Sequence, residues 1–330
     1  QLNSMIHKED QILSLNKAEL HIHLNGLFDT TMIKEVLDNE NTEIPFNFDV
    51  AKDLNILHSK RSLIQYLKPW EVLRLMPKKE ENLLKLIDNA FDKLKTDNIR
   101  FVELRSSVIY LSSLLNKPLE ETLILFITLL NQVSSKYKIK YGLILTITRG
   151  DYSMSHLTTL MNAYKNIDTP KEIVGIDLAG NEDIQVSMDL GSAFRYYKDH
   201  FNLGITIHAG ETGNIENIKT AIKEFGADRI GHGTAAGKCP ETMELLVQKD
   251  ICVEICPISN RRTGAIKAEE AHPVKEFIKN NVPFVICSDN PSIHMATLSD
   301  DYLDFYHETQ NLEILNNMFE QQKKYTFIPS

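Results

Sequence analysis

Cysteine is scarce. Cys239, Cys252, Cys256 and Cys287 are the only four in 330 residues, and none forms a C-x-x-C pair. That excludes a finger-type metal scaffold and points to buried thiols in a reducing compartment. Long apolar runs are missing too. The longest, Leu123–Leu130, is far below the ~20 residues a spanning helix needs. No basic, apolar, small-residue signal opens the sequence, so a cytoplasmic location is expected. There is no excess of positive charge: 36 Lys and Arg stand against 45 Asp and Glu, a net −9. This argues against a binder of nucleic-acid duplexes, which needs a dominant basic face, but leaves room for a local basic pocket. No Gly/Ser-rich linker divides the chain, since its 14 Gly and 11 Pro are scattered.

What is present is ordinary globular composition, 42% apolar and 25% charged. At this length, folding buries roughly three quarters of the unfolded surface. Short, β-branched, nearly continuous apolar runs occupy 18–24, 99–105, 140–146, 173–178, 204–208, 228–231, 251–255 and 283–287. Such runs suit strands buried on both faces. Amphipathic stretches separate them, among them 80–96, 119–136, 192–201, 214–225, 240–249 and 269–280. Eightfold strand–helix alternation predicts an α/β fold of the (β/α)8 TIM-barrel type over residues 18–330. Residues 1–17 read as a lead-in, fitting a linker from an upstream domain. Residues 26–98 form a helical insert after strand 1, long enough for a lid, with a helical piece at 61–76.

A barrel carries its chemistry at the C-terminal ends of its strands. Those ends supply His21 and His23, Gly180, His208 and Glu211, His232, and Asp289 with Asn290. His21 and His23, two apart on a strand, share a face. Taken singly, each His suits a structural role as well, and Asp289 suits a turn or helix cap. Together, three imidazoles and a carboxylate at one mouth suit Zn²⁺ with a position left for water. Glu211 lies past the strand, placed either to act as acid or base on a substrate or to cap the following helix. His232 stands between Gly231 and Gly233, as suits a residue projecting into a crowded site.

The segments Lys17–Gly26 (KAELHIHLNG), Gly175–Gly180 (GIDLAG), His208–Glu211 (HAGE), Gly231–Gly233 (GHG), Cys256–Asn260 (CPISN) and Ser288–Pro291 (SDNP) resemble the adenosine deaminase family, in order and across most of the chain. The resemblance implies one Zn²⁺ per chain, with Fe²⁺ or Mn²⁺ as alternatives, held by His21, His23, His208 and Asp289. It implies that Glu211 protonates purine N1 as water attacks C6. His232 would orient that water and help take its proton, Asp289 would hold it, and the Gly180 N–H would contact purine N3. The partner implied is a small adenine nucleoside or nucleotide.

Two positions depart from the family's usual pattern. Asn25 replaces an Asp that binds the ribose 5′-hydroxyl, which resembles the branch acting on adenosine monophosphates. Asn290 replaces an Asp that binds purine N7, and an amide carries N–H donors at any pH. Arg261 and Arg262, just past strand 7, are expected either to meet a substrate phosphate or to be solvated at the surface. Arg105 and Arg149 read as structural ion-pair partners, and His272 and His294 as structural or surface residues. Other readings are a deaminase of free adenine or another aminopurine, and a non-catalytic nucleotide-sensing barrel. A further resemblance, to effector halves of prokaryotic defence proteins, implies an N-terminal sensing domain. An oligomer is compatible with all of these.

Overall fold

The predicted apolar runs become eight parallel strands in a computed structural model that describes all 330 residues. They are β1 Lys17–His23, β2 Ile99–Ser106, β3 Lys140–Thr148, β4 Ile173–Ala179, β5 Gly204–Ala209, β6 Arg229–His232, β7 Cys252–Ile255 and β8 Phe284–Ile286. Each pairs with the next in chain order. A parallel bridge between Ile22 and Asp289 joins the end of the last strand segment to the first. The architecture is a (β/α)8 TIM barrel. Continuous apolar character follows from burial on both faces: every residue of β4 is buried, by the barrel interior on one side and the helices on the other.

The helices follow their sequence signals. The helix Glu80–Thr96 buries Leu83, Leu86, Ile87, Ala90 and Leu94, one stripe at helical spacing. Glu80 and Glu81 open it and Lys93 and Lys95 close it, complementing the helix dipole. Proline shortens two other pieces. The expected 269–280 helix is Val274–Lys279, starting after Pro273. The expected 61–76 helix is two single turns, Leu63–Tyr66 and Trp70–Leu73, with Pro69 at the start of the second. The lead-in is itself structured: Leu2–Leu13 is a helix packed on the helix Leu298–Thr309, and β1 begins at Lys17. No helix is long and apolar enough to cross a membrane.

The C-terminal tail seals the far end of the barrel. Phe327 lies in a notch where a side chain at Gly204 would come within 2.3 Å of its ring. The Arg229 guanidinium sits 3.8 Å from that ring's centre. The opposite, C-terminal mouth is left open for a cavity.

Candidate active site

A cavity of ≈ 420 Å³ opens at the C-terminal mouth. His23, Asn25, Gly180, His208, Glu211, His232, Asp289 and Asn290 line it. The insert after β1 supplies much of the opposite wall, including Phe28, Leu63, Tyr66, Trp70 and Leu73. Beneath them, ligand-type atoms of His21, His208, His232 and Asp289 lie within 4.8 Å of one another. His23 joins the cluster, its Nε2 3.2 Å from Asp289 Oδ1 and 3.3 Å from His208 Nε2.

The backbone places these groups with some strain. Asp289 has φ 66° and His232 has φ 69°, in the left-handed region that non-glycine residues seldom adopt. Asp289 is held there by its N–H donating to the His21 carbonyl at 2.9 Å and its own carbonyl accepting from His23 N–H at 3.0 Å. Those are the bonds that close the barrel, so ring closure and carboxylate placement are one event.

The cluster fits a divalent metal. His21 Nε2 and Asp289 Oδ1 are buried without a hydrogen-bond partner, and they face one another at 3.2 Å. Orphaned buried atoms are costly unless something satisfies them. An imidazole nitrogen and a carboxylate oxygen aimed at one point are the donors a zinc-like ion takes. Behind them, His21 Nδ1 lies 2.8 Å from Glu254 Oε1, and His208 Nδ1 lies 2.9 Å from Asp177 Oδ1. These carboxylates orient each ring with Nε2 inward. Asp289 Oδ2 accepts from Ser259 Oγ at 2.7 Å. Burial opposes ionisation of Asp289, but the surrounding imidazoles of His21, His23 and His232 outweigh it and hold the carboxyl well below its usual range.

Glu211 behaves oppositely. Burial, with the nearby Asp289 and Glu182 charges, pushes its carboxyl well above the usual range. Its Oε2 lies 3.3 Å from His232 Nε2. Glu211 does not cap the next helix, because Asn214 does so by accepting from the Glu216 N–H. What fixes the Glu211 loop is Glu182, absent from the sequence-based expectations. Buried, it accepts the backbone N–H groups of Gly210 and Glu211 at 2.7 and 2.8 Å. Asp177 and Glu254 were likewise missed. Their signal was a lone charge inside an apolar strand, which burial obliges to find a partner.

The arginines past β7 turn away from the cavity. They end the short helix Pro257–Arg262. Arg261 Nη1 donates to the carbonyls of Lys267 and Glu270. Arg262 Nε donates to the Ile56 carbonyl at 3.1 Å, and its own carbonyl accepts from Lys60 N–H at 2.8 Å. Arg262 thus pins the insert, which Ile56 N–H also ties to the Ile293 carbonyl at 2.8 Å. Neither arginine lines the cavity, whereas the exposed Arg74 does. Arg105 is buried between Asp177 and Glu254, and Arg149 donates to the His208 carbonyl. His272 and His294 are both buried, the latter 2.6 Å from the Tyr66 hydroxyl. That hydroxyl also accepts from Asn290 Nδ2 at 3.1 Å, so the insert touches the residue next to Asp289.

Comparison with known proteins agrees with this geometry. The adenosine deaminase family profile matches residues 16–325. An adenosine deaminase of Clostridium acetobutylicum is 33% identical over 303 residues, covering 90% of this chain and 88% of that protein. Among solved structures, Arabidopsis ADAL complexed with IMP superposes with a TM-score of 0.81 at 25% identity, covering 96% of this chain and 94% of that one. An amidohydrolase of Burkholderia ambifaria with bound Zn shares the fold, with a TM-score of 0.85 at 18% identity over 98% of this chain and 88% of that one. Profile, relatives and the buried His/Asp cluster agree: this chain belongs to the adenosine deaminase family of metal-dependent hydrolytic deaminases.

Proposed function

We propose that this protein replaces the 6-amino group of an adenine nucleotide with oxygen, consuming water and releasing ammonia. The observation that carries the reading is the pairing at one cavity floor of a buried His/Asp cluster with Glu211, a buried carboxyl 3.3 Å from His232 whose pKa burial pushes well above the usual range. His21, His23, His208 and Asp289 would hold one ion, zinc ahead of Fe²⁺ or Mn²⁺. Such an ion supplies Lewis acidity that makes water nucleophilic near neutral pH. Asp177 is committed to Arg105 and His208, which supports one metal rather than two. Glu211 delivers its proton to ring N1 as oxygen adds at C6, so that ammonia can leave without stranding negative charge on the ring. Gly180 and Asn290, which line the same cavity, would meet the edge of the base.

The 5′ end is read from charge. An Asp at position 25, placed about 4 Å from a phosphate, would cost roughly 1 kcal/mol in a watery site and ~4 kcal/mol in a partly buried one. Asn25 removes that cost and offers N–H donors. Arg74, an exposed residue lining the same cavity, would meet the phosphate, a role Arg261 and Arg262 could fill only if they faced inward. The IMP held by ADAL supports a nucleotide-sized occupant. The test compares kcat/KM for adenosine, AMP and ATP in the wild type, Asn25→Asp and Arg74→Gln. Wild-type protein should favour a phosphorylated substrate, and Asn25→Asp should cut that preference at least about tenfold. Preference for adenosine, unchanged by either substitution, would refute the nucleotide assignment.

A further inference from the structure

The imidazoles of the site divide by what stands behind them. His21 and His208 turn Nδ1 to the carboxylates of Glu254 and Asp177. A carboxylate only accepts, so each Nδ1 carries the ring proton and each Nε2 keeps a lone pair for a metal.

Behind His232 stands an amide instead. Asn260 Nδ2 lies 3.1 Å from His232 Nδ1, and Asn260 Oδ1 lies 3.1 Å from His272 Nε2. The direction of this chain is set at its far end. The backbone N–H of Val274 donates to His272 Nδ1 at 3.0 Å, and a backbone N–H can only donate. His272 therefore carries its proton on Nε2 and gives it to Asn260 Oδ1. The Asn260 NH₂ is left facing His232, whose Nδ1 must accept. The proton of the neutral His232 ring is then on Nε2, 3.3 Å from Glu211 Oε2 and 3.8 Å from Asp289 Oδ2. His232, Asn260 and His272 are all buried, so water does not interrupt the relay.

We infer that Asn260 and His272 are positioning residues that fix His232 as its Nε2–H tautomer, so that His232 serves the reaction as a hydrogen-bond donor and neither ligates the metal nor takes a proton from water. This differs from the role the family resemblance implies. It also sorts the ligands: a ring presenting N–H has no lone pair to offer, which leaves His21, His23, His208 and Asp289. The consequence for catalysis rests on the deaminase reading. There, Nε2–H points to where the attacking oxygen would be held between Glu211 and Asp289.

The test is ¹⁵N NMR of protein labelled at histidine, with and without added zinc, the His232 signals being assigned by their loss in His232→Gln. Wild-type His232 should show a protonated Nε2 and an unprotonated Nδ1 in both samples. In Asn260→Asp the carboxylate can only accept, so the pattern should reverse, and kcat should fall about 10- to 100-fold. His272→Gln, whose amide can still donate to Asn260, should keep the wild-type pattern. His272→Phe frees the Asn260 amide to turn and should give a mixture, a second route should Asn260→Asp fail to fold. A protonated Nδ1 in wild-type His232, or a pattern indifferent to both Asn260→Asp and His272→Phe, would overturn the inference. An unreduced kcat in a reversed Asn260→Asp would overturn its catalytic part. Wild-type protein that releases no ammonia would overturn the proposed function, while the spectra still decide the tautomer.

Discussion

His21 Nδ1 on β1 and Glu254 Oε1 on β7 meet inside the barrel at 2.8 Å, so a charged residue of one strand aims the imidazole of another. The same carboxylate accepts from Arg105 Nη2 and from Arg229 Nε, each at 2.6 Å. Burial opposes its ionisation, but the Arg105 and Arg229 charges hold it well below the usual carboxylate range. One buried carboxylate therefore both orients the His21 ring and pairs with two guanidinium groups, which Asp177 and Glu103 also meet.

Removing its charge should be felt in both roles. Glu254→Gln is expected to weaken metal binding about 10- to 100-fold, as loss of an orienting partner generally does. It should also cost up to about 3–5 kcal/mol of stability, because Arg105 and Arg229 each lose a buried carboxylate partner and keep only Asp177 and Glu103. Chelator competition reads the first effect and urea unfolding the second.

Glu211→Gln separates chemistry from metal binding. In the proposed reaction Glu211 carries a proton rather than binding the metal, and glutamine is close to its shape. Metal content and unfolding midpoint should match the wild type, while turnover falls by at least ~10²-fold. Wild-type-like turnover would make Glu211 a structural residue.

His272 supplies a pH signature. Burial, with the Arg261 charge adding to it, pushes its pKa down to about 3 from the ordinary 6.5. Its folded-state pKa lies below the unfolded one, so the unfolded chain binds more protons between those values. The stability this group contributes is complete above pH ~6.5 and is lost as pH falls from there toward about 3, at up to ~1.4 kcal/mol per pH unit. Urea midpoints at pH 7 and pH 5 should fall more for the wild type than for His272→Gln, which does not titrate.

The sequence carried the barrel well, because a strand buried on both faces leaves a continuous apolar run. The 173–178 stretch announces β4 in this way, and His21-x-His23 announces a shared face through the twofold alternation of a strand. Asp177 and Glu254 are visible as isolated charges in apolar strands, while Glu182, beside Asp183 in a polar loop, is not; the partners of all three lie on other strands and loops, so their roles needed three dimensions. The sequence leaves the heading of Arg261 and Arg262 open between cavity and surface, and in the structure neither lines the cavity. Their partners, the carbonyls of Glu270 and Ile56, lie on other loops, which periodicity over six residues cannot reveal. His272 looked peripheral for a related reason: it follows a loop and precedes Pro273, and only the fold brings it to Asn260.

Metal-assisted release of ammonia from an adenine nucleotide is tested most directly by stripping the protein with a chelator, restoring zinc stepwise, and measuring ammonia released from AMP, ATP and adenosine. The account predicts negligible release from stripped protein. It predicts release that rises with bound zinc and levels off near one ion per chain, greatest with a phosphorylated substrate. Fully loaded protein that frees no ammonia from any of the three, or stripped protein as active as loaded, would contradict it.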